Sequence, residues 1–121
     1  MSEGRNRPPH DISPEAFFIE WVPRAIASDP ERSARLGSGA FSLQFEIEGD
    51  GGGVFCLEVE EGMARGRVGA HEAPHLLVRV DFETWRELNR GDVSAPQALL
   101  SRRVRLQGDL RLAVRLHVIL G

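Results

Sequence analysis

The spacing of apolar residues changes at Phe41 from a helical period to strict alternation. Before that point, three- and four-residue spacing predicts a helix through Phe17, Phe18, Trp21, Val22, Ala25 and Ile26. Ser13-Pro14-Glu15 predicts its start, because a hydroxyl, a proline and an acid suit the first turn of a helix. Pro23 predicts a kink or a break, since it removes a hydrogen bond and clashes with the carbonyl of Ile19. Residues 27–39 are polar and predict a connector with room for a helical turn.

Alternation after Phe41 predicts strands with one buried and one wet face. The predicted strands are residues 41–48, 54–60, 63–70, 76–81 and 103–107, with Gly49–Gly53 as a hairpin turn. In the first of them, Ser42, Gln44, Glu46 and Glu48 are expected on the wet face. Helices are predicted over residues 82–88, capped by Asp81 and stopped by Gly91, over 94–101 and over 109–120. This order predicts an α+β fold, in which helices cover one face of a five-stranded, mainly antiparallel sheet.

The length of 121 residues allows one ordinary core. Residues 1–12 are polar and Pro-rich and are expected to form a flexible tail, which leaves residues 13–121 as a single domain. Apolar runs stay well short of the ~20 residues that span a bilayer, and the first residues lack the apolar stretch of a secretory signal. Cys56 is the only cysteine, so an internal disulfide is excluded. We therefore expect a cytoplasmic protein.

The net charge of −3 conceals an asymmetry between the two halves of the chain. Residues 1–61 carry −7 and residues 62–121 carry +4, and every basic residue is an arginine. Such a distribution either orients the molecule toward an anionic partner or simply gives the sheet one acidic and one basic edge. Nucleic-acid binding is not expected, because the pI is near 5.8 and no basic platform interleaved with aromatic residues is present.

The segment His71-Glu72-Ala73-Pro74-His75 matches the H-E-x-x-H pattern of zinc hydrolases. Those sites need both histidines one helical turn apart, facing one metal. Pro74 disfavours a helical conformation at Ala73, so we expect a loop between two strands and no metal or other cofactor. An enzymatic function through His71 and His75 is accordingly the weakest of the hypotheses that the sequence allows.

Three predicted helices carry much apolar surface, and the last is apolar on most sides. With a half-apolar sheet between them, these helices either enclose an apolar cavity or pack together as an ordinary core. The residue pattern alone leaves both interpretations open.

The order of these elements resembles the sterol carrier protein type 2 family. The similar segments are Phe41–Phe45, the glycine turn, Val54–Leu57, Val78–Trp85, Leu88–Gly91 and Val104–Ala113. The most specific of them is the last, in which a short strand is followed by Gly108-Asp109 and an apolar helix. The resemblance extends over roughly residues 15–120.

The resemblance implies an apolar tunnel between the sheet and its helices, which binds a sterol, fatty acid, fatty acyl-CoA or phospholipid without covalent chemistry. Candidate lining residues are Phe17, Trp21, Phe45, Phe55, Leu57, Val78, Phe82, Trp85, Leu106, Leu112 and Leu116. Each of them is equally compatible with ordinary core. Candidate head-group residues, which would meet a phosphate, a carboxylate or an anionic membrane surface, are Arg102, Arg103, Arg105, Arg111 and Arg115.

Two functions agree with this resemblance. The first is a small carrier that binds or transfers lipid. The alternative is an accessory subunit that presents a lipid or a prenylated quinone precursor to a partner enzyme.

Overall fold

The computed structural model describes residues 8–9 and 11–115. Its helical segments are α1 (Pro14–Ala16), a π-helical segment (Phe17–Trp21), α2 (Val22–Ala27), α3 (Pro30–Leu36), α4 (Phe82–Arg90), α5 (Ala95–Leu100) and a 3-10 turn (Leu110–Leu112). Its strands are β1 (Ala40–Glu48), β2 (Gly53–Glu60), β3 (Met63–Val68), β4 (Leu76–Asp81) and β5 (Val104–Gly108). The α+β fold with five strands that the alternation predicted is confirmed.

The five strands form one sheet in the order β3-β2-β1-β4-β5. Neighbouring strands run antiparallel except β1 and β4, which form a parallel pair at the centre. Such a pair needs a crossover connection, and β2 and β3 together provide it. The sheet is therefore mainly antiparallel, as the sequence predicted.

The register of the strands gathers their large apolar residues on one face of the sheet. Leu43 lies opposite Leu57 on one side and Leu76 on the other. Phe45 similarly lies between Phe55 and Val78. All of these side chains are buried, and the helices cover this face. Side chains alternate between the two faces of a strand, so this register commits the odd-numbered residues of β1 to the core.

The opposite face of the sheet is less exposed than the alternation predicted. Ser42 and Gln44 of β1 are buried, although their polarity placed them on the wet face. The loop that precedes β4 covers them: the backbone N–H of His71 donates to Gln44 Oε1 at 2.8 Å, and His75 is bonded to Ser42. The expectation of a wet face was therefore wrong at these two positions, because a polar loop satisfies them.

Pro23 is accommodated without a break in the helical backbone, which continues from Pro14 to Ala27. The turn that precedes it is π-helical, and the N–H of Val22 donates to the carbonyl of Phe17, five residues back. A π turn shifts the hydrogen-bond pattern just before the proline, where a regular α-helix would lose a bond. The predicted kink or break thus takes the form of a local π-helical segment.

Two further predictions need adjustment. The connector at residues 27–39 contains the two-turn helix α3, whose N-cap is Asp29. The carboxylate of Asp29 accepts from the N–H groups of Glu31 and Arg32. The helix predicted over 109–120 begins with the 3-10 turn and is helical from residue 113 to 115, while its remainder lies outside the described residues. Within the part of the chain that the structure describes, no helix is long and apolar enough to cross a membrane.

Candidate functional site

The structure brings ten of the eleven candidate lining residues together in one apolar cluster between the sheet and the helices. Seven are buried in it: Phe17, Phe45, Phe55, Leu57, Val78, Trp85 and Leu112. Trp21, Phe82 and Leu106 are partly buried and pack against it. Leu116 lies outside the described residues. The cluster therefore contains residues from both ends of the chain as well as from the sheet.

Aromatic rings connect the N-terminal helical segment to the sheet and to α4. Phe18 contacts Phe45, with 4.5 Å between the ring centroids, and Phe55, at 5.4 Å. Phe17 stacks on Trp21 at 5.4 Å and meets Trp85 edge-on at 5.5 Å. Successive residues of the π-helical segment thus reach different partners, and Phe17 bridges two helices.

Helix α4 is held in place at both ends. Its N-cap is Asp81, whose carboxylate accepts from the N–H and the hydroxyl of Thr84, and its C-cap is the left-handed Gly91. Burial raises the pKa of Asp81, but the hydrogen bonds from Thr84 outweigh burial and hold that pKa below its ordinary value. These caps fix where α4 begins and ends.

Asn89 is a buried polar residue of α4 that sequence reasoning did not select. It lies one helical turn after Trp85, and the two side chains are 6% and 2% exposed. Neither Trp85 Nε1 nor Asn89 Nδ2 has a hydrogen-bond partner among the described residues. The available signal was an asparagine four residues after the tryptophan of the helix predicted over residues 82–88, and the observed helix extends to Arg90.

The five candidate head-group arginines do not form one cluster. Arg103 is committed to α4: its Nε donates to Thr84 Oγ1 at 3.1 Å, and its Nη2 pairs with Glu87. Arg105 lies 4.0 Å from Glu48 across an exposed part of the sheet. Arg103 is therefore a structural link between β5 and α4, and its charge is already matched.

The other three arginines divide between the two ends of β5. Arg102 precedes the strand, is exposed and has a left-handed backbone with φ +63°. Arg111 follows it and forms a two-pronged pair with Asp109, with both N–O distances at 3.0 Å. Arg115 lies over the ring of Phe41 at 5.0 Å. Of the five arginines, Arg102 alone has no ion pair, hydrogen bond or ring contact from its side chain within the described residues.

The ion pair between Asp109 and Arg111 shifts the pKa of each group in the direction that favours its charged form. The hydrogen bond from Arg111 lowers the pKa of Asp109, and the same bond raises the pKa of Arg111. Arg111 is exposed and Asp109 is partly exposed, so the pair orders the start of the 3-10 turn without a large energetic contribution.

The His71–His75 segment forms a loop between β3 and β4, as predicted. His71 Nδ1 accepts from the N–H of Ala73 at 2.9 Å, and its Nε2 lies 3.8 Å from Glu58. His75 is bonded instead to Ser42. Among residues 8–9 and 11–115, no group of three or more histidine, cysteine or acidic side chains could hold a metal ion.

The contact between Ser42 and His75 attaches the loop to β1. The N–H of Ser42 donates to His75 Nδ1 at 3.1 Å, and Ser42 Oγ lies 3.0 Å from the same nitrogen. In return, the backbone N–H of His75 lies 3.0 Å from the carbonyl of Ser42. Ser42 is buried, and the polar atoms of Ser42 and His75 are bonded to each other. The contact therefore has a structural role, which is to hold the loop against β1.

Cys56 is buried on the same face of the sheet, and its thiol lies 3.4 Å from the carbonyl oxygen of Gly69. Burial raises its pKa, and the charge of Arg67 opposes this shift only in part. A thiol with a raised pKa is a poor nucleophile, because the thiolate is the reactive form.

An open pocket of about 320 Å³ lies beside α3. Its lining is mostly small or polar and consists of Ser33, Ala34, Gly37, Ser38, Glu61 and Gly62. This composition differs from that of an apolar ligand site, since such sites bury most of their ligand against hydrophobic side chains.

Comparison with protein families gives a match to the SCP-2 sterol transfer family over residues 22–121. No curated protein sequence matches significantly.

Solved structures with the same fold include two small proteins from insects. The palmitated sterol carrier protein 2-like 2 from Aedes aegypti has 21% identity and a TM-score of 0.68, over 91% of this chain and 96% of its own. The sterol carrier protein domain 2 of Helicoverpa armigera has 19% identity and a TM-score of 0.64, over 97% and 92%.

A similar fold also occurs within a larger enzyme. The inverting sec-alkylsulfatase of a Pseudomonas species has 18% identity and a TM-score of 0.72. The match covers 98% of this chain but only 18% of the enzyme. This chain therefore corresponds to less than a fifth of the alkylsulfatase.

Proposed function

Because this chain belongs to the SCP-2 sterol transfer family, we propose that it binds one lipid molecule in the apolar region between its sheet and its helices, without covalent chemistry. The observation that carries this proposal is the convergence of ten apolar residues, chosen from the sequence, on one cluster. A cytoplasmic location is part of the proposal, and the unpaired, buried thiol of Cys56 supports it.

The driving force would be removal of an acyl chain or a sterol body from water, about 0.8 kcal/mol for each buried CH₂ before ordering costs. Contacts of this kind discriminate mainly by size. The proposed ligands are therefore a class, namely sterols, fatty acids, fatty acyl-CoA and phospholipids.

Lining residues that are only partly buried offer the best test, because their substitution preserves the core. Leu106 of β5 is partly buried and packs against the cluster, while Leu100 of α5 is 85% exposed. We expect Leu106→Gln to weaken binding of a fluorescent fatty acid about tenfold. Leu100→Gln is the matched control and should leave binding unchanged.

Native mass spectrometry of the purified chain, followed by analysis of its organic extract, measures the same property directly. A lipid adduct of one molecule per chain is the expected result. A chain that carries no lipid and takes up no fluorescent fatty acid would refute the proposed function. If both variants bind the fluorescent fatty acid with equal affinity, Leu106 is not part of the binding site.

An accessory role is the second candidate. A similar fold makes up less than a fifth of an alkylsulfatase, so this fold also occurs as part of a larger enzyme. In that role the chain would present a lipid, such as a prenylated quinone precursor, to a partner enzyme. The test is to identify an enzyme that co-purifies with the chain and to measure its turnover of a lipid substrate. We expect turnover to fall when the chain is removed. Unchanged turnover would exclude this role.

The charged surface contributes a further expectation. Arg102 is exposed, beside the exposed apolar residue Leu100, so it is the candidate head-group arginine best placed to meet an anionic membrane. We expect Arg102→Gln to weaken sedimentation with phosphatidylserine vesicles. Arg111→Gln is the control, because Asp109 already neutralises that guanidinium.

A further inference from the structure

Helix α4 carries two buried hydrogen-bond donors that have no acceptor in the part of the chain that the structure describes. Trp85 Nε1 and Asn89 Nδ2 are both buried and have no partner among residues 8–9 and 11–115. Buried donors are nearly always paired in folded proteins, because an unpaired donor loses its bonds to water and gains none in return. Two such groups on one helix therefore require an explanation.

The two donors lie on one side of α4. Residues four apart in a helix are neighbours, with about 5–6 Å between their Cβ atoms. A ligand on this side of α4 is therefore near both side chains, and its oxygen atoms, each with two lone pairs, are the acceptors that the two donors lack.

The surroundings of Trp85 are mainly aromatic and apolar. The ring of Phe17 meets the Trp85 ring edge-on, with 5.5 Å between the centroids, and the centroid of the Phe82 ring lies 5.8 Å from that of Trp85. Arg86 is 5.4 Å above the ring, but its Nη1 already donates to the carbonyl of Ile12 at 2.7 Å. Burial of a carboxylate against uncharged donors is costly, so these surroundings favour a neutral oxygen.

We infer that Trp85 and Asn89 form the polar anchor of the lipid site, where they donate to a neutral oxygen of the ligand, a hydroxyl or an ester carbonyl. This inference rests on the proposed function and deepens it. The apolar cluster selects the body of the ligand by size, whereas the two donors select for an oxygen acceptor. Sites built to hydrogen-bond a polar group reject ligands that lack it far more strongly than apolar contacts discriminate between sizes.

Side-chain N–H signals in a ¹H–¹⁵N correlation spectrum of the full chain report on both donors. The probes are 1-dodecanol, methyl dodecanoate, dodecanoate and dodecane, which share a chain length and differ in the head. We expect 1-dodecanol or methyl dodecanoate to shift the Trp85 indole and Asn89 amide signals downfield, while dodecane does not. The exposed side-chain amide of Gln107 on β5 is the internal reference.

Substitutions then test whether the donors set the preference. Asn89→Leu keeps the approximate volume and removes the amide, and Trp85→Phe removes the indole N–H. Each is expected to reduce the affinity for 1-dodecanol about tenfold relative to that for dodecane. Gln107→Leu removes an exposed amide on β5 and is the matched control. Because Asn89 Nδ2 has no acceptor among residues 8–9 and 11–115, the melting temperature of the ligand-free Asn89→Leu variant should not fall.

The outcomes separate this inference from the proposed function. If the chain binds all four probes with equal affinity and the Trp85 signal does not move, the inference is wrong and the lipid-binding proposal stands. A clear preference for dodecanoate would show that the site binds a charged head group, and this result would also overturn the inference. If none of the probes binds, both proposals fail together.

Discussion

Gly66 of β3 lies directly against the carbonyl oxygen of Phe18. A Cβ at residue 66 would be 2.0 Å from that oxygen and 2.8 Å from its carbon. The N-terminal helical segment therefore rests on β3 backbone to backbone, and this close approach lets Phe18 reach Phe45 and Phe55.

Gly66→Ala is expected to destabilise the protein by about 3 kcal/mol or more, because the added methyl group forces the helical segment away from the sheet. Urea denaturation followed by tryptophan fluorescence measures the change. Arg65→Ala, at an exposed position of the same strand, is the control and should cost no more than about 0.5 kcal/mol. Equal stabilities of the two variants would contradict the tight contact.

Asp81 should make the stability depend on pH in the acid range. Its pKa in the folded protein lies below the ordinary value of 3.8, so its stabilising effect is complete above that value and is lost as the pH falls through the folded pKa. Asp81→Asn keeps a side-chain oxygen for the helix cap and removes the titration. We expect its free energy of unfolding to fall less steeply below pH 4 than that of the original protein.

The matched control is Asp50→Asn in the turn between β1 and β2. It should retain the acid dependence. An unchanged slope in Asp81→Asn would show that the hydrogen bonds from Thr84 do not affect the titration of Asp81.

Arg103 should stabilise the contact between β5 and α4 more than its neighbour Arg105 does. Its guanidinium bonds to Thr84 and Glu87, whereas Arg105 makes one exposed pair at 4.0 Å. Because Arg103 and Glu87 are only partly shielded from solvent, Arg103→Leu is expected to cost about 1 kcal/mol. Arg105→Leu should have almost no effect on the thermal transition, and a reversed order would contradict this assignment.

Cys56 should react slowly with iodoacetamide at neutral pH. Its side chain is buried and its pKa is raised, so both access and thiolate formation are limited. We expect at least tenfold slower alkylation than for free cysteine, measured by mass spectrometry, and full reactivity after unfolding in urea. Rapid alkylation of the folded protein would indicate that β2 opens easily.

Much of the fold followed from alternation and capping signals. The period of two from Phe41 onward located β1, and Asp81 and Gly91 marked the ends of α4. These signals are local, since they depend on which way neighbouring side chains point and which residues can cap a turn.

What could not be predicted depended on contacts between distant residues. The polarity of Ser42 and Gln44 predicts a solvent-exposed face, but the loop that contains His71 and His75 bonds to both side chains and buries them. For Asn89, the spacing of four residues from Trp85 was a weak signal of burial, because the apolar face of a helix is defined by averages over several turns. The π-helical segment before Pro23 was likewise not predicted, and its Phe17 packs against Trp85, which lies far along the chain.

The two outermost strands of the sheet, β3 and β5, each have one side without a strand partner among the described residues. Such edges invite pairing with a second copy of the same chain, which is a common route to aggregation. Here β3 exposes Arg65 and Arg67, and β5 has only five residues and exposes Arg105. Positive charge and short length both discourage edge-to-edge association, so the arginines of the C-terminal half oppose aggregation through these two strand edges.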